Sequence, residues 1–412
     1  MATRTEEKMS EETLPPPPEL KSQPKERQAH PFHSLKELLD HISGKDLPPV
    51  KFRDSGKAEV LPFPFSAIIG QKEMKLALIL GLVNPNIGGI LLVGPRGTAK
   101  TTAVRSLIDL LPMVERSTCH YGCLPSDIEE GGIDAVCPDC AKKYGEGESL
   151  TRTSRVRLIE LPLNAKLENV VGGIDERAAM HKRMILKRGI LAQADRNLLY
   201  LDEVNLLNNA VIDAILDAAA QGSYTLRRGA ASATYKSRFL LVGSMNPEEG
   251  HLRPQIMDRF GLRVIVRGLD DPKERLEAYK QVQSYLSAPH QLIAKYADGT
   301  SAIREELEKT QERLKEVKIS NRVAKKAIAT IQELGIDSLR AEITWFEASR
   351  AYAAASGRKN VKLTDLHAVA PMSLRLRRSK FINEYFAKQE GEEEELAELI
   401  KPFKRKNVKR ET

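Results

Sequence analysis

The sequence predicts an α/β fold, a parallel sheet flanked by helices, followed by an all-helical region. Three observations carry that expectation. Apolar runs too continuous for half-exposed strands recur between residues 89 and 266, as strands buried on both faces require. The first of them, Ile90-Leu-Leu-Val93, runs straight into Gly94-Pro-Arg-Gly-Thr-Ala-Lys-Thr101, a glycine-rich turn that opens a helix. Beyond Asp270-Asp-Pro272 the composition turns to Ala, Glu, Lys, Arg and Leu and stays helical in character to about Arg378.

Taken in order, residues 1–60 read as a flexible extension, with Pro15 to Pro18 in a row and few large apolar side chains; only Leu35 to Ile42 suggests a helix there. The α/β region spans 61–267. Its strands are expected at Gly89–Val93, Val156–Leu161, Leu198–Asp202, Phe239–Ser244 and Leu262–Val266. The apolar stretch from Leu76 to Val93 is broken by Asn84-Pro-Asn86 and Gly88-Gly89, so it divides into helix, turn and strand and does not span a membrane. Residues 223–238 alternate around Arg228-Gly229 and predict a hairpin. A helical region occupies 268–378, and 379–412 forms a charged tail with Glu392 to Glu395 in a row.

The 412 residues are 41% hydrophobic and 29% charged, enough for a sizeable core in a globular chain. The net charge of +8 comes from 64 basic and 56 acidic residues that are well interspersed, which favours a solvated surface over a nucleic-acid patch. Aromatics at 5% give little to stack bases on. The first residues lack an apolar signal core, so the cytoplasm is the expected compartment.

A strand, a glycine-rich turn and a helix start place backbone N–H groups around an anion, so residues Gly94, Pro95, Arg96, Gly97, Thr98, Ala99, Lys100, Thr101 and Thr102 form a candidate nucleotide-phosphate cradle. Lys100 would reach the β- and γ-phosphates of ATP, and Thr101 would sit on Mg²⁺. Ala99 stands where the phosphate-loop pattern has Gly; as the smallest residue with a Cβ, it is expected to suit a helix start at modest cost. Leu198-Leu-Tyr-Leu-Asp202-Glu203 ends a buried strand in two carboxylates. Asp202 would help hold Mg²⁺, and Glu203 would orient and deprotonate water. Asn246, at the tip of the next apolar run, can bond a γ-phosphate and that water, or simply cap the Pro247-Glu-Glu turn. Arg259 can neutralise transition-state charge in a neighbouring subunit, or form a surface ion pair.

All four cysteines fall within residues 119–140, as Cys119-x3-Cys123 and Cys137-x2-Cys140. Thiolate-bound Zn²⁺, a redox-responsive dithiol pair and inert thiols are the three readings. Arg227 and Arg228 at the hairpin could meet phosphates or a partner subunit, or stay solvated.

Together these phrases resemble AAA+ ATPases, and more narrowly the I-subunit family of magnesium chelatase. The resemblance spans about Phe65 to Arg378 and rests on five stretches: Val83-Asn-Pro-Asn-Ile-Gly-Gly, Leu161-Pro-Leu with Val170-Val-Gly-Gly, Leu201-Asp-Glu-Val-Asn-Leu-Leu, Met245-Asn-Pro-Glu-Glu-Gly, and Leu252-Arg-Pro-Gln-Ile-Met-Asp-Arg-Phe-Gly-Leu262. It implies an AAA+ P-loop NTPase core with a helical lid and an insert at about 170–191. It makes Asn246 the sensor-1 residue, Arg259 the arginine finger and Arg340 the sensor-2 arginine, acting on either its own nucleotide or a neighbour's. Ile69 and Gly70, in Ile68-Ile-Gly-Gln71, would line the adenine pocket. The family assembles as a ring, expected here to be a hexamer, and works with D and H subunits to insert Mg²⁺ into protoporphyrin IX. The rival reading, from a different functional class, is a MoxR-type remodelling ATPase or a minichromosome-maintenance-like DNA motor, and the small subunit of a cobalt chelatase is a nearer third.

Overall fold

The computed structural model describes residues 61–174, 186–229 and 231–377. The expected extension, the 35–42 helix, part of the 170–191 insert, Arg378 and the 379–412 tail lie outside the described residues.

Eleven strands follow in chain order: β1 (Ile90–Val93), β2 (Met113–Ser117), β3 (Thr151–Arg155), β4 (Leu158–Leu161), β5 (Gly172–Ile174), β6 (Leu186–Arg188), β7 (Leu198–Leu201), β8 (Ser223–Arg228), β9 (Ala231–Lys236), β10 (Leu240–Met245) and β11 (Leu262–Ile265). Five of them form the central sheet in the order β11-β1-β10-β7-β4, every pair parallel. These are the five apolar runs of the sequence, with ends shifted by one or two residues. Asp202 falls one residue beyond its strand.

Strand side chains alternate between faces, so each apolar run feeds two cores. Ile90, Leu92, Leu198, Tyr200, Leu240 and Val242 enter the core on one face, with helix Lys72–Val83. Leu91, Leu199, Leu201 and Leu241 enter the core on the other, with helix Asn209–Gln221. That two-sided burial is why the strands read as unbroken apolar stretches.

Helices Pro272–Ser287, Pro289–Leu314, Asn321–Glu333, Leu339–Ala355 and Leu363–Leu374 follow β11. Their core, around Ile331, Trp345, Ala348 and Val369, is continuous with the first sheet face. No helix of the described residues is long and apolar enough to cross a membrane.

Three two-stranded antiparallel ribbons stand off the central sheet: β2–β3, β5–β6 and β8–β9. The expected hairpin is β8–β9, turning at Gly229 with φ +58. The β2–β3 ribbon was not legible in sequence. Its strands are half-exposed, and a loop of more than thirty residues separates them.

Asp258 joins the helical region to the α/β body. Its carboxylate accepts from Arg377 Nη1 at 2.8 Å, Arg263 Nη2 at 3.3 Å and Ser338 Oγ at 2.9 Å. Arg263 on β11 and Arg377 beyond the last helix have side chains no more than 1% exposed. Burial lowers the pKa of both, that of Arg263 to about 10, and the carboxylate opposite offsets part of the cost of keeping them charged. Removing one partner of a buried pair strands the other's charge, at a cost of about 3–5 kcal/mol. Asp258→Asn is therefore expected to lower unfolding stability by about 3 kcal/mol in urea denaturation. A loss below about 1 kcal/mol would show that the guanidiniums need no counter-charge.

Candidate nucleotide site

The central strands all point one way, so the loops after β1, β7 and β10 meet at one end of the sheet, where open parallel sheets bind ligands. There a cleft of ≈ 210 Å³ is lined by Arg96 to Thr102, Asp202, Glu203, Ser244, Met245 and Asn246. The phosphate loop and the acidic pair are over a hundred residues apart in sequence, and the fold brings them together.

Close packing shapes the loop. Gly94 lies so near the Val266 carbonyl that a Cβ would approach its oxygen to 2.1 Å. Gly97 takes φ +76, and Ala99 takes φ +65 and ψ +21 as N-cap of helix Lys100–Ser106. The expectation that Ala99 suits a helix start needs correcting: it stands in the left-handed region just before the helix. The phosphate-loop pattern's Gly would relieve that strain, which costs a residue with a Cβ roughly 1 kcal/mol.

Lys100 is buried, and its ammonium donates to the carbonyls of Gly94 and Pro95, each at 2.7 Å. Desolvation lowers its pKa, against the pull of Asp202, Glu203 and Glu249. Thr101 Oγ1 donates to Asp202 Oδ2 at 3.3 Å, so the two expected Mg²⁺ ligands are neighbours offering hard oxygen donors. Asp202 Oδ1 accepts from Tyr200 Oη at 2.9 Å and Ser244 Oγ at 2.5 Å. Those two bonds occupy one oxygen and leave the other toward Thr101.

Glu203 has φ +51, an uncommon conformation for a non-glycine residue, and its N–H donates to Ser244 Oγ at 3.2 Å. Glu203 stands at the strand tip and lines the cleft. Arg96, on the exposed tip of the loop, pairs with Glu249 and lies 3.7 Å from Glu203. Asn246 is buried. Its side-chain amide donates to Glu249 at 3.1 Å and its Oδ1 accepts the Glu248 N–H at 3.2 Å. It therefore caps the turn, as one of its two sequence readings expects, and it also lines the cleft.

A second, more apolar cavity of ≈ 340 Å³ shares Gly97, Thr98, Ala99 and Thr102 with the cleft and continues to Phe63, Ile68, Ile69, Leu269, Tyr279 and Val282. Ile69 lines it. Gly70 does not line it; at φ +64 it packs beneath Leu269, whose Cδ2 would lie 2.5 Å from an added Cβ. Tyr200 and Ser244 were not singled out from sequence. A hydroxyl-bearing Tyr two residues before Asp202, on the same strand face, was the available signal for the first.

Arg259 and Arg340 are not in the cleft. Both line a separate cavity of ≈ 160 Å³ with Ile87, Gly88, Gly89, Phe239 and Gly261, which immediately precede β1, β10 and β11. That is the opposite end of the same strands. From Gly89 to Gly94 the chain runs about 16 Å at 3.3 Å per residue, farther than an arginine side chain reaches. Arg259 donates to Asp217 at 2.7 Å, and Arg340 lies 3.6 Å from Asp258.

Residues 172–267 match the family model described as magnesium chelatase, subunit ChlI, and residues 324–399 match the AAA lid domain. A magnesium-chelatase subunit ChlI homolog of Methanocaldococcus jannaschii is 41% identical, over 84% of this chain and 93% of that protein. The ChlI subunit of Nephroselmis olivacea is 37% identical over 77% of this chain and 89% of its own length. The magnesium-chelatase 38 kDa subunit of Acidiphilium rubrum is 38% identical over 76% and 90%. Among solved structures, a chain from a cryo-EM-based model of the BchI–BchD complex of magnesium chelatase is 36% identical, covering 79% of this chain and 99% of its own, with a TM-score of 0.43. Identity of 37–41% with ChlI relatives over 76–84% of this chain, which carries the phosphate loop, the acidic strand end and the helical lid, makes this protein an AAA+ ATPase of the magnesium-chelatase ChlI family.

Proposed function

We propose that this chain is the ATP-hydrolysing motor of a magnesium chelatase, driving Mg²⁺ insertion into protoporphyrin IX on the path to chlorophyll or bacteriochlorophyll. It would work in the cytoplasm as a ring, a hexamer by family resemblance, acting on D and H subunits. The observation that supports the ring reading is the placement of Arg259 and Arg340 at the strand end opposite the phosphate loop. A head-to-tail neighbour would set that end against the next subunit's cleft, and such contacts close into rings. Both arginines would then act in trans.

In the cleft, Lys100 would exchange the carbonyls of Gly94 and Pro95 for phosphate oxygens, a charge-assisted contact in place of a neutral one. The base would enter the cavity beside Ile69 and Tyr279. Thr101 and Asp202 would hold the nucleotide's Mg²⁺, which neutralises charge on the transferred phosphoryl group. Glu203 would orient and deprotonate the attacking water once Arg96 releases it, and Asn246 would fix water and γ-phosphate together. Arg259 and Arg340 of the adjoining subunit would stabilise the developing charge and carry phosphate loss to the lid.

Three outcomes test these roles. Lys100→Ala is expected to weaken ATP binding by about tenfold or more in calorimetry; unchanged affinity would mean the loop does not hold phosphate. Glu203→Gln is expected to keep ATP affinity while kcat falls by about 10²–10⁴-fold, and near-normal turnover would take Glu203 out of the base role. Arg259→Ala or Arg340→Ala, titrated into wild-type rings, is expected to depress ATPase activity more steeply than its mole fraction, because each variant silences a neighbour's site. A strictly proportional loss would contradict action in trans. ATPase stimulation by D and porphyrin-loaded H subunits, and not by DNA, separates the chelatase from a DNA motor.

A further inference from the structure

The four cysteines belong to none of these roles, yet the fold gathers them. Their Sγ atoms all lie within 4.8 Å of one another. Cys119 and Cys123 come from the turn after β2, whereas Cys137 and Cys140 come from the start of helix Pro138–Gly145. We propose that Cys119, Cys123, Cys137 and Cys140 form a structural tetrathiolate Zn²⁺ site that serves as the core of residues 118–150.

The spacing fits the metal. Tetrahedral Zn²⁺ with Zn–S bonds of about 2.3 Å needs sulfurs about 3.8 Å apart, a contraction of at most about 1 Å from the arrangement here. The sulfurs also have the outer partners that thiolate ligands keep. The Cys123 N–H donates to Cys119 Sγ at 3.3 Å, the Cys137 N–H to Cys123 Sγ at 3.4 Å, and Ser117 Oγ to Cys119 Sγ at 3.3 Å. Donors aimed at sulfur stabilise a thiolate far more than the weakly accepting sulfur of a disulfide. Zn²⁺ binding would release the thiol protons to solvent.

Inert thiols are the poorer reading on packing grounds. Besides Cys123 and Cys140, the buried apolar side chains of residues 118–150 are Leu124, Ile128 and Leu150. Helices Pro125–Gly131 and Pro138–Gly145 are too short to persist alone. A lobe of this size with so little apolar burial needs a staple, and a structural metal is the usual one in a reducing compartment.

The lobe also has something to hold. Tyr121 O accepts the Lys236 N–H at 2.9 Å, Gly122 O accepts Arg238 Nη2 at 2.8 Å, and His120 O accepts Arg188 Nη1 at 3.0 Å. Asp127 pairs with Lys236 at 3.2 Å and Arg238 at 3.1 Å, and Tyr121 stacks on Tyr235. The zinc lobe thus clamps the base of the β8–β9 hairpin and the β6 edge of its neighbour.

The full chain, purified under reducing conditions, is expected to carry close to one zinc per chain by elemental analysis. Exchange with Co²⁺ should give the absorption bands of a tetrahedral tetrathiolate complex. Cys137→Ser/Cys140→Ser should lose the metal, and chelation of wild type should open residues 118–150 to limited proteolysis. If the double variant fails to fold, the Co²⁺ spectrum of wild type still decides. Four freely titrating thiols with no uptake of added Zn²⁺ or Co²⁺, two disulfides by mass, or iron in place of zinc would each overturn the proposal.

Discussion

Asp258 faces two guanidiniums sealed from water and a third, Arg340, at the edge of solvent. The central sheet, the start of helix Leu339–Ala355 and the end of the helical region all converge on this one carboxylate. Charge buried this deeply cannot be moved without its counter-charge, so the helical region is locked to β11 at this corner. Asp258 is also the immediate neighbour of Arg259. The carboxylate that fixes the helical region therefore sits beside the arginine proposed as the finger.

Much of this was legible in sequence because burial on both faces of a parallel sheet leaves a plain signature. Ile90–Val93, Leu198–Leu201 and Leu240–Met245 read as strands, and the polar residues that end them read as chemistry. What sequence spacing does not contain is which end of the sheet a distant residue reaches. Arg340 could be named from its motif, but its remoteness from Lys100 depends on the direction of β1. Tyr200 and Ser244 escaped notice for a related reason: their hydroxyls matter only once β7 and β10 are adjacent and Asp202 lies between them. Ala99 was judged by residue size, whereas its backbone conformation decides its energy.

The ribbons follow a different rule. The β2–β3 pair and the cysteine lobe it carries add almost nothing to the two main cores, and their short elements have weak periodicity. Local sequence could place the cysteines together but not say what they support. The contacts of Tyr121, Gly122 and Asp127 with Lys236 and Arg238 answer that, tying a cluster early in the chain to a hairpin a hundred residues later.

The strands of the sheet are short and hydrogen-bonded to parallel neighbours, so each links the two ends of the sheet as a short rod. One end of each rod faces the chain's own nucleotide cleft, and the other carries the arginines proposed for the neighbour. In the ring proposed above, each member would meet one neighbour at its cleft and the other at its arginines, so word of a spent nucleotide would pass round it in a single sense.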